Sequence, residues 1–373
     1  MDTYLDYNAT TPARPEVIAA MGAAMTQVGN ASSVHRFGRL ARRAVEDARE
    51  AVAALACADP ANVVFTGSGT EANNLALRGI GRPVLASAIE HESVLAATES
   101  VQTLPVDADG LVDRAALDRA LAASEVPPLL SVMLANNETG VIQPVAELAA
   151  IAHQHGALVH CDAVQAAGRL PLDLGALGVD LLTLSAHKIG GPQGVGALVM
   201  ARDLTMDALL RGGGQERRRR AGTENVAGIA GFGVAARLAS VALDDMPRLA
   251  GLRDTIEAAV LTTRPDAVIH GRGAPRLANT SCIGLPGVRH DTQVMALDLA
   301  GVAVSAGSAC SSGRMTPSHV LSAMGFDDVA ASSAIRVSFG WRSEAADAER
   351  FTGAWRDMAA RLAGEPALRR TVA

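Results

Sequence analysis

The feature that most constrains the fold is an alternation of short apolar runs with alanine-rich amphipathic stretches between residues 15 and 250. Short apolar runs bounded by turn residues are typical of buried strands, and longer amphipathic stretches are typical of helices. Their alternation predicts β–α units around a mostly parallel sheet. The predicted strands are 63–65, 83–86, 129–134, 157–161, 179–184 and 195–200, and the predicted helices include 39–55, 70–78, 145–155 and 226–242.

The length of the chain predicts two domains. With 373 residues it exceeds what one hydrophobic core usually supports. After about residue 250 the pattern changes to a helix over 251–262, further strands, a Gly/Ser-rich loop and a terminal helix from Glu344. We therefore predict a large domain over 15–250 and a small α+β domain formed by 1–14 together with 251–373.

Composition excludes several classes of protein. A chain that is 49% hydrophobic and 19% charged has a packed core and is not disordered as a whole. No apolar run approaches the length of a membrane span, and the N-terminus does not resemble a signal peptide. The net charge of -6 gives no general reason to expect nucleic acid. The arginine run 217–220 is set between glycine-rich segments, which favours an ordered anion-binding loop or a subunit contact.

The four cysteines are scattered and contain no CxxC pair. A disulfide framework or a zinc site is therefore not expected, and we expect a cytoplasmic protein in a reducing compartment. Free cysteines are usually buried, and the contexts of Cys57, Cys161 and Cys282 suit burial. Cys310 lies among small polar residues, which predicts an exposed and reactive thiol.

One lysine is placed for covalent chemistry. Segment 185–192, Ser-Ala-His-Lys-Ile-Gly-Gly-Pro, follows a predicted buried strand and carries Lys188. A lysine at the end of a buried strand can be a desolvated amine that forms a Schiff base with a carbonyl. Pyridoxal phosphate is the commonest biological carbonyl bound in this way. The alternative is an ordinary surface lysine on a turn.

A glycine-rich turn over 66–74 joins a predicted strand to a predicted helix. Backbone N–H groups and the helix dipole at such a turn favour an anion. The pattern Gly67-x-Gly69-x-x-Ala72 also fits a relaxed dinucleotide fingerprint, so a nicotinamide-dependent dehydrogenase is a competing hypothesis. A tight turn that holds no ligand is a third.

Further polar residues follow the predicted strands. Asp162 ends one strand, where a desolvated carboxylate needs a cation such as a protonated pyridine nitrogen. A helix N-cap is the alternative for Asp162. Asn137 follows another strand, and its amide could bind a ring hydroxyl or a substrate carboxylate. His91 could stack on a planar cofactor or move protons, although a single histidine is more often structural.

Arg336 is one charge inside an apolar strand near the C-terminus. A buried arginine needs an anionic partner, and its planar fork suits the carboxylate of a substrate. An internal ion pair is the alternative.

Seven segments of the chain together resemble one known family. They are 4–12 (Tyr-Leu-Asp-Tyr-Asn-Ala-Thr-Thr-Pro), 69–71, 136–138, 162–165, 185–188, 222–223 and 307–310. In this order they resemble the cysteine desulfurases of the NifS/IscS type, in the class V aminotransferase group of the fold type I pyridoxal-phosphate enzymes. The likeness extends to about Trp341. Segment 311–324 resembles the longer loop of the group I enzymes.

The resemblance implies an α/β fold type I transferase, with a mostly parallel seven-stranded sheet between helices, that works as a homodimer. It implies that Lys188 carries pyridoxal 5'-phosphate, with Asp162 on the pyridine nitrogen, Gln165 on the ring oxygen and His91 on the ring face. The implied phosphate ligands are Gly69, Thr70, Ser185, His187 and, from the partner subunit, Thr223. The implied ligands of the substrate carboxylate are Asn137 and Arg336, with Asn8 nearby.

The reaction implied is the conversion of L-cysteine to L-alanine, with Lys188 as the base and sulfur left on Cys310 as a persulfide. The sulfur would then pass to an acceptor protein that serves iron–sulfur cluster or other thio-cofactor assembly. No metal site is expected, except that Cys310 could transiently ligate a cluster iron. Selenocysteine lyase and other class V enzymes remain alternatives.

Overall fold

A computed structural model describes residues 2–307 and 316–362 of the chain. The strands are β1 (Thr3–Tyr4), β2 (Val63–Thr66), β3 (Val84–Ser87), β4 (Val101–Leu104), β5 (Leu129–Ser131), β6 (Leu158–Asp162), β7 (Leu181–Ser185), β8 (Gly196–Met200), β9 (Val268–Ile269), β10 (Thr280–Gly284), β11 (Val302–Ala303) and β12 (Ala334–Ser338). The helices are α1 (Pro15–Met25), α2 (Arg36–Leu55), α3 (Gly69–Gly79), α4 (Glu92–Leu95), α5 (Arg114–Ala122), α6 (Val145–Gln154), α7 (Leu174–Leu177), α8 (Val226–Val241), α9 (Met246–Thr263), α10 (His290–Leu299), α11 (His319–Ala323), α12 (Asp328–Ala331) and α13 (Ala345–Leu362).

A seven-stranded sheet forms the centre of the fold, in the order β2-β8-β7-β6-β5-β3-β4. From β7 to β4 all neighbouring strands run parallel, whereas β8 is antiparallel to both of its neighbours. The parallel strands end at one edge of the sheet, which is where open α/β sheets bind their ligands. The predicted mixed α/β fold with a mostly parallel sheet is confirmed.

Helices cover both faces of this sheet. On β7, Leu182 packs into the core that contains Val52 of α2 and Phe232 of α8. Its neighbour Leu181 points the other way and packs with Leu75 of α3. Successive side chains of a strand point to opposite faces, so strands buried on both faces are apolar throughout. This explains why the apolar runs could be recognised in the sequence.

A second core lies around smaller sheets. Strands β12, β10 and β9 form an antiparallel sheet, and β1 pairs in parallel with β11. Leu5, which follows β1, packs in this core with residues such as Ile283, Val337 and Trp355. The N-terminal segment therefore packs with elements from the second half of the chain. The domain division at about residue 250 stays our proposal.

One expectation about membrane spans is wrong. The helical run Val226–Thr263 is long and apolar enough to cross a membrane by length and composition. It consists of α8 and α9, joined by a 3-10 turn at Ala242–Asp245. Phe232 of α8 lies in the larger core and Ile256 of α9 in the smaller one. The run therefore supplies core helices to both halves of the molecule.

Candidate active site

A cavity of about 190 Å³ opens at the carboxyl edge of the parallel strands. Most of the site residues predicted from the sequence line it, although they come from distant parts of the chain. They are Asn8, Gly69, Thr70, His91, Asn137, Asp162, Gln165, Ser185, His187, Lys188 and Arg336. We call this space the substrate cavity.

Lys188 lies on a 3-10 turn, Ala186–Ile189, that directly follows β7. Its Nζ donates to the backbone oxygens of Asn8, at 2.5 Å, and Ala9, at 2.8 Å. Thr11 holds the same turn, because its hydroxyl donates to the Lys188 carbonyl at 2.8 Å. The N-terminal segment therefore fixes the position of the amine.

The first turn of α3 forms one end of the cavity. A Cβ atom on Gly69 would lie 3.2 Å from Val164 Cγ2 and 3.3 Å from Ser185 Cβ, so the backbone packs too closely there for a side chain to be added without movement. Ser68 caps the helix by accepting from Glu71 N–H at 3.1 Å. The start of α3 and the hydroxyls of Thr70 and Ser185 border one pocket, which suits a phosphate group.

The glycine turn differs from a dinucleotide-binding turn in one respect. The N–H of Gly67 donates to a carboxylate of its own chain, Glu71 Oε2, at 2.7 Å. Arg220 Nε donates to the other oxygen of Glu71 at 2.8 Å. That N–H is thus occupied by an internal ion pair and is not directed at a pyrophosphate.

His187 is held neutral at physiological pH. Burial, followed by the positive charge of Lys188, lowers the pKa of His187 to about 4. Its Nδ1 lies 3.1 Å from the Thr10 hydroxyl. A neutral imidazole keeps one N–H that can donate to an anion.

Asp162 is a buried carboxylate without an ionic partner among the described residues. Oδ1 accepts from Val164 N–H at 2.9 Å, and Oδ2 accepts from Asn73 Nδ2 at 2.8 Å. Both donors are neutral, so the negative charge remains available to a cationic ligand in the cavity. The chain after Asp162 forms turns and not a helix, so the N-cap alternative is wrong.

A network that the sequence analysis missed connects Asp162 to His91. Asn73 Nδ2 donates to Asp162 Oδ2 and to the Ser93 hydroxyl at 2.9 Å. His91 Nδ1 lies 2.8 Å from that hydroxyl and accepts from Ser93 N–H at 3.1 Å. An acceptor Nδ1 places the proton of the neutral ring on Nε2. Asn73 was detectable, because it lies four residues after Gly69 and therefore on the same helix face.

Arg336 approaches the cavity from β12 of the smaller sheet. It is buried, and its Nη2 donates to Asp6 Oδ1 at 2.8 Å. The other oxygen of Asp6 accepts from the Ser305 hydroxyl at 2.6 Å. The internal ion pair that was the alternative is therefore present, and Arg336 also lines the cavity. Its Nε is buried and has no hydrogen-bond partner among residues 2–307 and 316–362.

The three predicted amide side chains differ in how many hydrogen bonds they already make within the protein. Asn137 Oδ1 is buried without a partner in the part of the chain that the structure describes, and Asn137 lines the cavity. Asn8 Nδ2 instead donates to Asn137 O at 3.2 Å and to Thr280 Oγ1 at 3.0 Å. Gln165 donates to Asn8 O at 2.9 Å and accepts from Arg169 at 2.5 Å. Asn137 therefore has the most capacity left for a ligand.

Two predicted residues are not part of this cavity as described. Thr223 is exposed on the loop before α8 and does not line the cavity of its own chain. Cys310 lies outside the described residues. The nearby arginine run is partly bound within the chain, because Arg219 pairs with Asp203 and Arg220 with Glu71.

The other cysteines divide into two kinds. Cys161 and Cys282 are buried as predicted, and burial is the main cause that raises the pKa of each thiol. The prediction for Cys57 is wrong, because this residue is exposed. It has a φ of 51° where the chain turns after α2, so its position is set by the turn at the surface.

Comparison with known proteins identifies the family. Residues 3–351 match the model of the aminotransferase class-V family. An IscS-like cysteine desulfurase of Mycobacterium tuberculosis is 43% identical over 366 residues, which cover 93% of each chain. The chain belongs to the class-V aminotransferase family, among its cysteine desulfurases.

Solved structures agree with this membership. A NifS-like protein from Rickettsia africae superposes with a TM-score of 0.91 at 34% identity, covering 96% of this chain and all of that one. A structure of SspA in complex with cysteine gives a TM-score of 0.77 at 29% identity, covering 90% of this chain and 98% of that one. Membership in this desulfurase family removes the nicotinamide dehydrogenase hypothesis.

Proposed function

We propose that this enzyme converts L-cysteine to L-alanine and collects the sulfur on Cys310 as a persulfide. The observation that carries the proposal is the substrate cavity itself. It brings together an amine that can act on a carbonyl, a carboxylate without an ionic partner, and a cradle for an anion, namely Lys188, Asp162 and the start of α3. The related SspA was solved with cysteine bound, which supports cysteine as the substrate here.

The residues of the cavity fit pyridoxal 5'-phosphate. Asp162 offers a negative charge to a pyridinium nitrogen, and Gly69, Thr70, Ser185 and His187 offer neutral donors to a phosphate. His91 lines the same space and would stack on the ring. When bound, this cofactor supplies an electron sink that stabilises negative charge on the substrate α-carbon.

Lys188 is the group placed to move the substrate proton. The carbonyls of Asn8 and Ala9 hold its Nζ within the cavity. As a general base, Nζ would take the proton from the α-carbon of cysteine. The fixed position of the amine limits the motion that this transfer requires.

The substrate carboxylate would bind at the side of the cavity that Arg336 and Asn137 form. Within the described part of the chain, Arg336 keeps a buried Nε without a partner, and Asn137 keeps an unpartnered amide oxygen. A carboxylate accepts readily from a guanidinium. The unpartnered amide oxygen can accept an N–H from the ligand.

Sulfur transfer needs a thiol that can reach the cavity. Among the described cysteines, Cys161 and Cys282 are buried, and Cys57 is exposed but does not line the cavity. This supports Cys310 as the acceptor. Its thiolate would attack the substrate sulfur, forming the S–S bond as the C–S bond breaks. The electron pair remains on the β-carbon, which then takes up a proton, and the α-carbon regains the proton that Lys188 removed, which gives alanine.

We further propose a cytoplasmic homodimer that passes the sulfur to an acceptor protein for iron–sulfur cluster or other thio-cofactor assembly. Large apolar side chains stand exposed on α1, just before α2 and at the start of α2, among them Ile18, Met25, Val34 and Phe37. A second copy that covers them would remove this apolar surface from water. The exposed Thr223 is available to reach the cavity of the partner subunit. Light scattering on the purified enzyme tests for the dimer.

Paired variants test the proposed roles. Lys188→Ala should abolish both turnover and the visible absorbance that the lysine-bound cofactor gives. Cys310→Ala should keep that absorbance but form neither persulfide nor alanine from cysteine. Cys57→Ala is the matched control and should behave like the unaltered enzyme. Full desulfurase turnover in Cys310→Ala would refute the proposed role of this cysteine.

Mass spectrometry of Cys310 after addition of cysteine, with and without candidate acceptor proteins, measures the persulfide and its transfer. A comparison of alanine production from cysteine and selenocysteine then determines which substrate is preferred.

A further inference from the structure

A second cavity, of about 290 Å³, lies at the junction of α8 and α9. We call it the Trp341 cavity, after the aromatic residue on its wall. Its other walls come from the N-terminal segment, the turn after β6, and the residues that follow β12. Among the described residues, Lys188 alone lines both this cavity and the substrate cavity. The two spaces are therefore distinct but share the reactive lysine.

Two arginines give the Trp341 cavity a positive charge. The guanidinium carbon of Arg14 lies 4.4 Å from the ring centroid of Trp341, and Arg14 Nε is buried without a hydrogen-bond partner. Arg169 is 9% exposed and donates only to neutral oxygens, those of Gln165 and the carbonyl of Tyr7. No carboxylate of the described residues forms an ion pair with either arginine.

Asp245, the acid that also lines the cavity, interacts electrostatically with Arg14 but forms its ion pair with Arg248. Asp245 is bound at both oxygens by Arg248, with two N–O distances of 2.7 Å. Burial, followed by the charge of Arg336, lowers the pKa of Arg169 to about 9, so Arg169 is still a cation at neutral pH. A desolvated cation with only neutral partners is stabilised by a bound anion.

Much of the remaining wall is apolar, although Tyr7, Thr11 and Asn279 also line it. The apolar part includes Leu238, Val241, Met246, Leu249 and Phe339. Ligand sites in proteins commonly combine an apolar lining with a few polar groups that fix the orientation of the ligand. The volume is near the lower end of those that hold small organic molecules.

We propose that the Trp341 cavity binds a small amphipathic carboxylate. Its carboxylate group lies beside Arg14 and Arg169, and its apolar body lies against Leu238 and Met246. This occupant is not the substrate, because it binds outside the substrate cavity. It contacts Lys188 from a second side, which gives the enzyme a site through which such an acid can influence the reactive amine.

Calorimetric titration of the holoenzyme with benzoate tests the proposal, with benzamide as the uncharged isostere. We expect saturable benzoate binding at one site per chain and at least tenfold weaker binding of benzamide. Arg14→Gln should weaken benzoate binding about tenfold or more, because a hydrogen bond to a charged group is lost. The matched control is Arg342→Gln, since Arg342 contacts the same Trp341 ring but does not line the cavity.

A second pair of variants tests the proposal without altering Arg14. Val241 lines the cavity and is 66% exposed, so it accepts a polar side chain. Val241→Glu places a carboxylate at the cavity and should weaken benzoate binding, whereas the isosteric Val241→Gln should not. Thermal unfolding confirms that each variant is folded. The proposal is overturned by absent benzoate binding, by equal binding of benzamide, or by unchanged binding in both Arg14→Gln and Val241→Glu.

Discussion

The two buried charges that line the substrate cavity are treated differently by the fold. Asp162, at the end of β6 in the large sheet, has only neutral donors as partners among the described residues. Arg336, on β12 of the smaller sheet, has an ion pair with Asp6. A buried charge without a counterion costs more free energy than a paired one. A cationic ligand would therefore stabilise Asp162, whereas Arg336 already has Asp6 as its counterion.

The largest effect is expected at the carboxylate without a counterion. Asp162→Asn preserves the shape of the side chain but removes its charge. We expect kcat/KM for cysteine to fall by about 10²–10³-fold, the range measured when one preorganised electrostatic partner is removed. Steady-state kinetics at saturating cofactor measure this. If Asp162→Asn lowers kcat/KM less than a replacement of Arg336 does, the inferred difference between the two charges is refuted.

The second largest effect concerns His160, which lies on β6 two residues before Asp162. His160 is fully buried between the hydroxyls of Ser131 and Thr183, each at 2.9 Å. Burial is the main cause that lowers its pKa from 6.5 to about 4, and the negative charge of Asp162 opposes this shift. Because the unfolded chain binds this proton more readily, stability falls as the pH drops from 6.5 towards 4.

For His160 this loss amounts to about 3 kcal/mol in the free energy of unfolding, since one pKa unit corresponds to about 1.4 kcal/mol. His160→Gln removes the titrating group and should reduce the acid dependence by that amount. Denaturant unfolding of both proteins, from neutral pH down to about pH 4, measures the difference. Parallel pH dependences for the two proteins would contradict the expectation.

The third effect concerns the charge that has a counterion. Arg336→Lys keeps a cation for Asp6 but loses the planar fork and the buried Nε. We expect KM for cysteine to rise about tenfold while the cofactor absorbance stays unchanged. Substrate kinetics and visible spectra measure the two quantities. A loss of cofactor absorbance with unchanged KM would show that Arg336 supports the cofactor and not the substrate.

The same two charges show what the sequence could predict. Asp162 and Lys188 end apolar strands, and parallel strands bring their carboxyl ends to one edge, so their proximity follows from the pattern alone. The residues of the smaller sheet do not obey such a rule. Asp6 meets Arg336 across 330 positions of sequence, and this contact depends on how the N-terminal segment packs against β12. Such long-range pairings follow from tertiary packing and carry no local signal.

Local patterns also gave element bounds with small errors. The apolar run 129–134 predicted a six-residue strand, but β5 ends at Ser131, and Met133 N–H donates to the buried carboxylate of Glu90 at 2.6 Å. Cys57 was expected to be buried because most free cysteines are, yet the turn after α2 leaves it at the surface. The end of β5 and the exposure of Cys57 are therefore set by a contact and a turn that the local sequence pattern does not reveal.

The smallest effect is expected for the neutral partners of Asp162. Asn73→Ala removes the donor to Asp162 Oδ2 and to Ser93, but Val164 N–H still holds the other oxygen. A neutral donor to a charged acceptor contributes about 1.5–3 kcal/mol when fully buried. Part of this free energy should be recovered when the cofactor binds. With one donor fewer, the Asp162 carboxylate interacts more strongly with the cationic ligand. We therefore expect cofactor affinity to change less than about tenfold.

The matched control for Asn73 is its neighbour Asn74, whose side chain donates to the carbonyls of Thr70 and Ser93 and not to Asp162. Equilibrium titration of cofactor-free enzyme with pyridoxal phosphate compares Asn73→Ala with Asn74→Ala. A larger loss in Asn74→Ala would mean that the packing of α3 against α4, and not the hydrogen bond to Asp162, determines cofactor affinity. A loss in Asn73→Ala as large as that in Asp162→Asn would mean that the carboxylate depends on its neutral donors as much as on its charge.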